Sequence, residues 1–165
     1  MRAIFPASFD PITNGHLDIA TRASHLFDQL VIAVYDKPDK QVLLPWPERI
    51  ALARAATAHL ANTRVEGFRG LMVEYARGIG ADVVVRGLRV VSDFEGELVY
   101  ASANRALAPT LETICLICSP DLMFISSSRI KEIALLGGDI SAMVPPPVVE
   151  RLARLVRERR AEPGG

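Results

Sequence analysis

Apolar positions along the chain fall into two kinds of run. Short, near-continuous ones occupy Arg2–Phe5, Leu30–Tyr35, Thr63–Gly67, Asp82–Arg86 and Glu112–Ile117, as expected of strands covered on both faces. Between them, apolar residues recur three and four positions apart. That spacing predicts helices from about Gly15 to Phe27, Glu48 to Leu60, Gly70 to Gly78, Phe94 to Leu107, from the serines at 126–128 to Gly137, and Val148 to Arg160. Strands alternating with helices need crossover connections, which are right-handed in a parallel sheet. The pattern therefore predicts an α/β protein, a doubly wound five-stranded parallel sheet with helices on both faces. It fits one domain over residues 1–165, ending in a helix at about 148–160 and a frayed tail at 161–165.

The same pattern assigns individual positions. Leu17, Ala20, Ala23, Ser24 and Phe27 form the buried stripe of the first helix, with His25 off it. Trp46 reads as a packing anchor before the second helix, a lid being the alternative, and Pro47 suits a first helical turn. His59 sits near that helix's end, where a cation is favoured. Leu71 and Met72 are core by residue type. Ser92-Asp93 is a plausible N-cap for the helix from Phe94, and Asn104-Arg105 reads as structural or as part of an assembly. In the last helix Val149, Leu152, Leu155 and Val156 make an apolar stripe. Arg151, Arg154, Arg157, Arg159 and Arg160 make a solvated face.

Three stretches interrupt the pattern with chemistry. The first is the loop Pro6-Ala7-Ser8-Phe9-Asp10-Pro11-Ile12-Thr13-Asn14-Gly15-His16, between the first strand and first helix. The first amides of a helix lack internal partners and carry partial positive charge, so such a turn favours an anion. Thr13-Asn14-Gly15-His16 adds an imidazole in the first helical turn, where a ring N–H can donate to charge building on a phosphate. The bland alternative is a plain turn with a capping threonine and an exposed histidine. The second stretch is Arg86-Gly87-Leu88-Arg89 at a strand's end. Arginine binds phosphate bidentately, Gly87 permits close approach, and a half-buried Arg86 needs an anionic partner. The third is Ile125-Ser126-Ser127-Ser128, a further helix start rich in donors, although one serine suffices for a cap. The charged loop Asp36-Lys37-Pro38-Asp39-Lys40 also follows a strand's carboxyl end, where open α/β sheets bind ligands.

Composition narrows the classes. Lys+Arg and Asp+Glu both number 19, and formal net charge is zero, which argues against a general nucleic-acid binder. No apolar run is long enough for a membrane span. The opening residues show no basic and apolar signal region, so the expectation is cytoplasmic. Cys115 and Cys118 lie in a strand-like run rather than at a helix start, and read as reduced, mostly packed thiols. No G-x-x-x-x-G-K-[ST] string and no G-x-G-x-x-G after the first strand are present, which disfavours a Walker ATPase and a redox dinucleotide enzyme. No histidine has zinc-ligand spacing to a second ligand.

The first loop resembles the signature of the T/H-x-G-H nucleotidyltransferases. Within that family the likeness runs along nearly the whole chain to the branch that adenylylates 4′-phosphopantetheine. It is carried by Val85-Arg86-Gly87-Leu88-Arg89, Asp93-Phe94-Glu95, Asn104-Arg105 and Phe124-Ile125-Ser126-Ser127-Ser128. The resemblance implies a Rossmann-like fold and transfer of AMP from ATP to the acceptor phosphate by direct in-line attack. It implies Mg²⁺ as cofactor and a homohexamer. It implies that His16 donates to the α-phosphate, and that Ser8, Lys40 (rather than Lys37) and Arg86 hold the acceptor phosphate. Met72 would line the pantetheine pocket. Arg89 and Ser126–Ser128 would hold the ATP phosphates. Ser8, Phe9, His16, Gly87, Leu88, Glu97, Leu122, Met123, Phe124 and Ile125 would complete the ATP site. Three residues depart from the family pattern: Ala7 replaces a glycine, Gly96 a larger residue, and Leu122 an aromatic that packs on adenine. The alternatives are a related transferase with another acceptor, such as nicotinamide mononucleotide or a phospho-alcohol with CTP, and a non-catalytic nucleotide sensor.

Overall fold

The computed structural model describes residues 1–38 and 41–161. Five strands, β1 (Arg2–Ala7), β2 (Gln29–Tyr35), β3 (Thr63–Phe68), β4 (Val83–Leu88) and β5 (Glu112–Ile117), form one sheet in the order β3-β2-β1-β4-β5. Every pairing is parallel. Among the described residues six α-helices connect or cover them: α1 (Asn14–Leu26), α2 (Trp46–Thr57), α3 (Met72–Gly78), α4 (Val91–Leu107), α5 (Ser127–Leu135) and α6 (Pro146–Ala161). The doubly wound fold expected from the hydrophobic pattern is the fold observed.

Alternation along the strands sorts the core into two layers. Ala3, Phe5, Leu30, Ile32, Val34, Val83 and Val85 face a large cluster with residues of α1, α2, α5 and α6. Ile4, Ala33 and Val84 face a smaller one with Phe68, Met72, Val73 and Ala76, closed by Ala108 and Leu111 after α4. The last helix covers the domain through Val148, Leu152 and Leu155. Residues 162–165 of the expected tail lie outside the described residues.

Several expectations shift. In α1, Ile19 is buried in place of the half-buried Leu17. The second helix ends at Thr57, leaving His59 exposed beyond it. Leu71 is not core: it is the exposed residue before α3, while Met72 is buried. Ser92-Asp93 does not cap α4. That helix begins at Val91, with Val90 before it and no side-chain cap, because Asp93 is drawn back onto Arg89. Arg151 is not on a solvated face: its Nε donates to Glu48 Oε2 at 2.6 Å, tying α6 to α2. Cys115 is exposed on β5, whereas Cys118 is buried.

Trp46 is an anchor. Its indole Nε1 donates to the Val34 carbonyl at 3.0 Å, and its ring fills the space over Gly67. A Cβ at Gly67 would lie 2.4 Å from Trp46 Cζ2 and 2.7 Å from Ile50 Cδ1, so β3 requires glycine there. Gly67→Ala is expected to lower the urea midpoint by an amount equivalent to about 1–3 kcal/mol, the usual cost of overpacking. Fluorescence of Trp46, the chain's one tryptophan, reports the transition. An unchanged midpoint would reject this packing.

Candidate active site

Strand β1 stays paired with β2 as far as Ala7, but with β4 it pairs only at Ala3 and Ile4. Beyond that point β1 and β4 part, at the place where the strand order reverses, and a doubly wound sheet opens a crevice there. The cavity is about 340 Å³. Ser8, Thr13 and His16 line it from the first loop, Arg86, Gly87 and Arg89 from the end of β4, Asp93 and Glu97 from α4, and Ile125 to Ser128 from the start of α5. Two helix N-termini, those of α1 and α5, therefore meet at one cavity and both favour an anion in it.

The first loop holds its shape by local bonds. Thr13 caps α1, and its Oγ1 accepts from the His16 amide at 3.4 Å. In return the Thr13 amide donates to His16 Nδ1 at 3.1 Å, with Thr13 Oγ1 3.0 Å from the same nitrogen. This is a capping box with histidine in place of the usual acid. An amide only donates, so Nδ1 must accept, and the neutral ring carries its proton on Nε2. Beneath His16 lies Phe9, 1% exposed, with ring centroids 5.1 Å apart. Phe9 has φ 46°, the one non-glycine positive φ among the described residues. That strained conformation turns the chain under the imidazole.

The opposite jaw is joined to the loop directly. Ser126 caps α5 by accepting from the Arg129 amide at 3.2 Å, and Ser127 Oγ donates to the Pro11 carbonyl at 2.9 Å. Both arginines of the β4 end are paired with acids of α4. Arg86 Nε and Nη2 each donate to Glu97 at 2.6 Å, its Nη1 donates to the Pro6 carbonyl at 2.7 Å, and the Tyr100 ring stacks on it at 5.1 Å. Arg89 donates to Asp93 through its amide and side chain and reaches the Ile125 carbonyl at 3.1 Å. Burial alone would raise the Asp93 carboxyl, but the hydrogen bonds from Arg89 prevail and hold it below its ordinary value. Burial pushes the Cys118 thiol, at the cavity wall, upward.

Residues 4–133 match the cytidylyltransferase-like family. A phosphopantetheine adenylyltransferase of Roseiflexus sp. (strain RS-1) is 50% identical over 95% of this chain and 98% of its own. That of Herpetosiphon aurantiacus is 55% identical over 87% of each. The chain belongs to the phosphopantetheine adenylyltransferases. A solved structure from Vibrio parahaemolyticus, a putative nicotinate-nucleotide adenylyltransferase, is similar in fold, with TM-score 0.72 over 95% of both chains at 21% identity.

For a phosphopantetheine adenylyltransferase, the cavity gathers most of the polar residues the sequence singled out: Ser8, His16, Arg86, Arg89, Glu97 and the three serines. Other expected site residues stand off it. Phe9 lies under His16, Met72 is buried with Phe68 in the smaller core cluster, and Leu88, Leu122, Met123 and Phe124 do not line the cavity. Lys40 lies outside the described residues. Gly87 lines the cavity and also has a packing role. A Cβ there would lie 3.1 Å from Ile19 Cγ1, so the glycine lets α1 pack on β4. The sequence reading missed Thr13 and Asp93 as cavity residues. The T-x-x-H spacing, a capping box in disguise, was the signal for Thr13.

Thr13→Val removes the hydroxyl cap and keeps the amide. It is expected to cost about 1 kcal/mol of stability by denaturant titration, as N-cap losses do, and Thr13→Ser is expected to restore most of it. Long-range ¹H–¹⁵N spectra of the wild type are expected to show neutral His16 protonated on Nε2. A proton on Nδ1 would reject the capping-box assignment.

Proposed function

We propose that the chain transfers the adenylyl group of ATP to the phosphate of 4′-phosphopantetheine, giving dephospho-coenzyme A and pyrophosphate. One observation carries the reading at this site: an imidazole, two helix N-termini and two arginines converge on a single cavity, in a chain whose relatives bear that name. In the proposed step an oxygen of the acceptor phosphate forms a bond to the α-phosphorus of ATP. The bond from that phosphorus to the bridging oxygen breaks in line, and its electron pair leaves with pyrophosphate. Chemistry of this kind rests on positioning and on stabilising charge rather than on a covalent enzyme intermediate.

His16 donates its Nε2 proton in a hydrogen bond to a non-bridging oxygen of the α-phosphate, where charge grows in the transition state. Arg86, with Ser8 and Lys40, orients the acceptor phosphate. Each terminal nitrogen of Arg86 has a second N–H beyond its bonds to Glu97 and Pro6, so Glu97 fixes the fork without consuming it. Arg89 and the Ser126–Ser128 turn hold the β- and γ-phosphates. Mg²⁺ enters as part of the substrate, Mg·ATP, and neutralises phosphate charge. Among the described residues no three His, Cys, Asp or Glu stand together as a metal group, and both cavity carboxylates are engaged by arginine. This donor set suits an ion held by phosphate oxygens and water.

The reading extends to assembly. The faces of α4 and β5 expose Val91 (85%), Val99 (71%) and Ile117 (68%), and β5 is an edge strand. The buried Asn104 Nδ2 of α4 has no hydrogen-bond partner among the described residues. A patch of this kind is a site of association, and a further copy of the chain, up to the homohexamer, is the occupant that fits the family. Among the described residues no helix is long and apolar enough to cross a membrane, and a cytoplasmic location goes with the reaction.

The decisive assay is pyrophosphate release from Mg·ATP on adding 4′-phosphopantetheine, with nicotinamide mononucleotide in parallel. Release with the first alone is expected. Release with the second alone would move the acceptor, and ATP binding without release from either would favour a sensor. His16→Ala is expected to lower kcat about 10²–10³-fold, as loss of an oxyanion donor does, with a much smaller change in ATP affinity. Unchanged turnover would reject the assignment.

A further inference from the structure

Asp18 lies in α1 two residues after His16, close to a cavity whose helix ends favour a bound anion, and a carboxylate there repels that anion. Its side chain is 15% exposed and does not line the cavity. Both oxygens are instead turned onto the segment that leaves β5. Oδ2 accepts from the Ser119 amide at 3.1 Å, and Oδ1 from the Ser119 hydroxyl at 2.8 Å. Arg22, one helical turn further on, pairs with Asp18 Oδ2 at 3.4 Å and donates through the same Nη1 to the Ile117 carbonyl at 2.6 Å. An exposed pair one turn apart does little for a helix by itself. This pair reaches two residues of another element and grips them on either side of Cys118, whose own amide donates to the Leu88 carbonyl at 2.8 Å.

The gripped segment leads into the site. Cys118, 3% exposed, lines the cavity. The Ser119 carbonyl takes the Leu122 amide at 2.9 Å, and the Leu122 carbonyl takes the Ile125 amide at 3.0 Å. Successive three-residue turns therefore run from the Asp18 anchor to Ile125, which lines the cavity again. The far end is held separately, by Arg89 on the Ile125 carbonyl and by Ser127 on the Pro11 carbonyl. The near end rests on Gly15, where an added Cβ would lie 3.7 Å from Cys118 Sγ and 3.8 Å from the Leu122 carbonyl oxygen. Asp18 and Arg22 tie this near end to the helix that carries His16.

We propose that Asp18 is a positioning residue for ATP. By holding Ser119 it sets the wall from Cys118 to Leu122 against α1, so that nucleotide binds in register with His16 on the same helix. The inference rests on the ATP site proposed above. The acceptor side has other supports: Arg49 Nη1 takes the Ser8 carbonyl at 2.7 Å, and Glu97 holds Arg86. Asp18 touches none of these groups.

The test compares wild type with Asp18→Ala, Asp18→Asn and Leu111→Ala, a core variant in the smaller cluster. Calorimetry measures ATP binding to the resting enzyme, pyrophosphate release gives the KM for each substrate, and thermal melts rank stability. Asp18→Ala is expected to weaken ATP binding about tenfold, the scale of one hydrogen bond to a charged group. The KM for ATP is expected to rise with it, while the KM for 4′-phosphopantetheine keeps its wild-type value. Asparagine can accept from the Ser119 amide and donate to the Ser119 hydroxyl, so Asp18→Asn is expected to recover most of the ATP affinity. Leu111→Ala is expected to melt earlier with ATP affinity unchanged. Undiminished ATP affinity in Asp18→Ala, an equal rise in both KM values, no recovery in Asp18→Asn, an equal loss in Leu111→Ala, or loss of the folded chain in both Asp18 variants would overturn the inference. A wild type that binds ATP but does not turn over 4′-phosphopantetheine would overturn the proposed reaction, and the ATP affinities would still decide the role of Asp18. A wild type that does not bind ATP would overturn both.

Discussion

The site depends on one parting of backbone. At Ile4 and Val84 the two central strands are hydrogen-bonded, and at Pro6 they are not. Proline has no N–H to offer a ladder, and it sits just where β1 needs no partner on the β4 side. The gap is filled by a side chain: Arg86 Nη1 takes the Pro6 carbonyl at 2.7 Å. The sheet thus ends in a crevice whose floor already contains a guanidinium. Had β1 and β4 remained paired to their ends, the Pro6 carbonyl would be committed to the ladder, and the jaws would close on backbone.

Charge in the crevice is arranged in two layers. Arg86 and Arg89 lead, and Glu97 and Asp93, four residues apart on one face of α4, stand behind them. The acids make two half-buried cations tolerable in the absence of a ligand and fix their rotamers. This matters for a reaction that works by position, because a guanidinium found already oriented loses little entropy when a phosphate arrives. Positive potential at the cavity then comes from the ends of α1 and α5 and from the outward N–H groups, rather than from net charge, which is zero for the whole chain. Composition was silent about an anion site for this reason: the site is built from dipoles and paired charges that cancel in a count.

What the sequence made legible followed from local physics. Near-continuous apolar runs between helical patterns were enough for the five parallel strands. Helix-start chemistry was enough for Thr13 and Ser126, both of which cap as their residue types suggest. Contacts made at long range stayed hidden. Nothing near Arg49 or Lys131 in the chain announces that each reaches the first loop, 41 residues away in one case and 121 in the other. The start of α4 was misread because Asp93 resembles a cap, while its carboxylate serves Arg89 four residues back. Gly87 was read as a phosphate glycine because a strand's end is where such glycines occur, and it does line the cavity; its close approach to Ile19 of α1 joins two elements and left no local sign.

The departures from the family pattern now separate by physical consequence. Ala7 is the last residue of β1, in extended backbone paired with Val34, a conformation open to any residue. The left-handed turn falls instead on Phe9, where packing between Phe5 and His16 offsets the strain. Gly96 meets nothing within 4 Å of an added Cβ, so its small size leaves open space on the exposed side of α4 and does not shape the cavity. Leu122 is different. It closes a single 3₁₀ turn, Pro120–Leu122, which follows Ser119, itself bonded to Asp18 of α1 through amide and hydroxyl at 3.1 and 2.8 Å. The turn is therefore held by α1, and an aliphatic side chain there packs partly against the core instead of standing out as a flat ring. In the proposed ATP site, that side therefore offers an aliphatic side chain and a turn held in place by Asp18, with no flat ring. Of the three departures, Ala7 and Gly96 sit in backbone and space that tolerate them, and only Leu122 exchanges a ring for an aliphatic side chain at a turn fixed to α1.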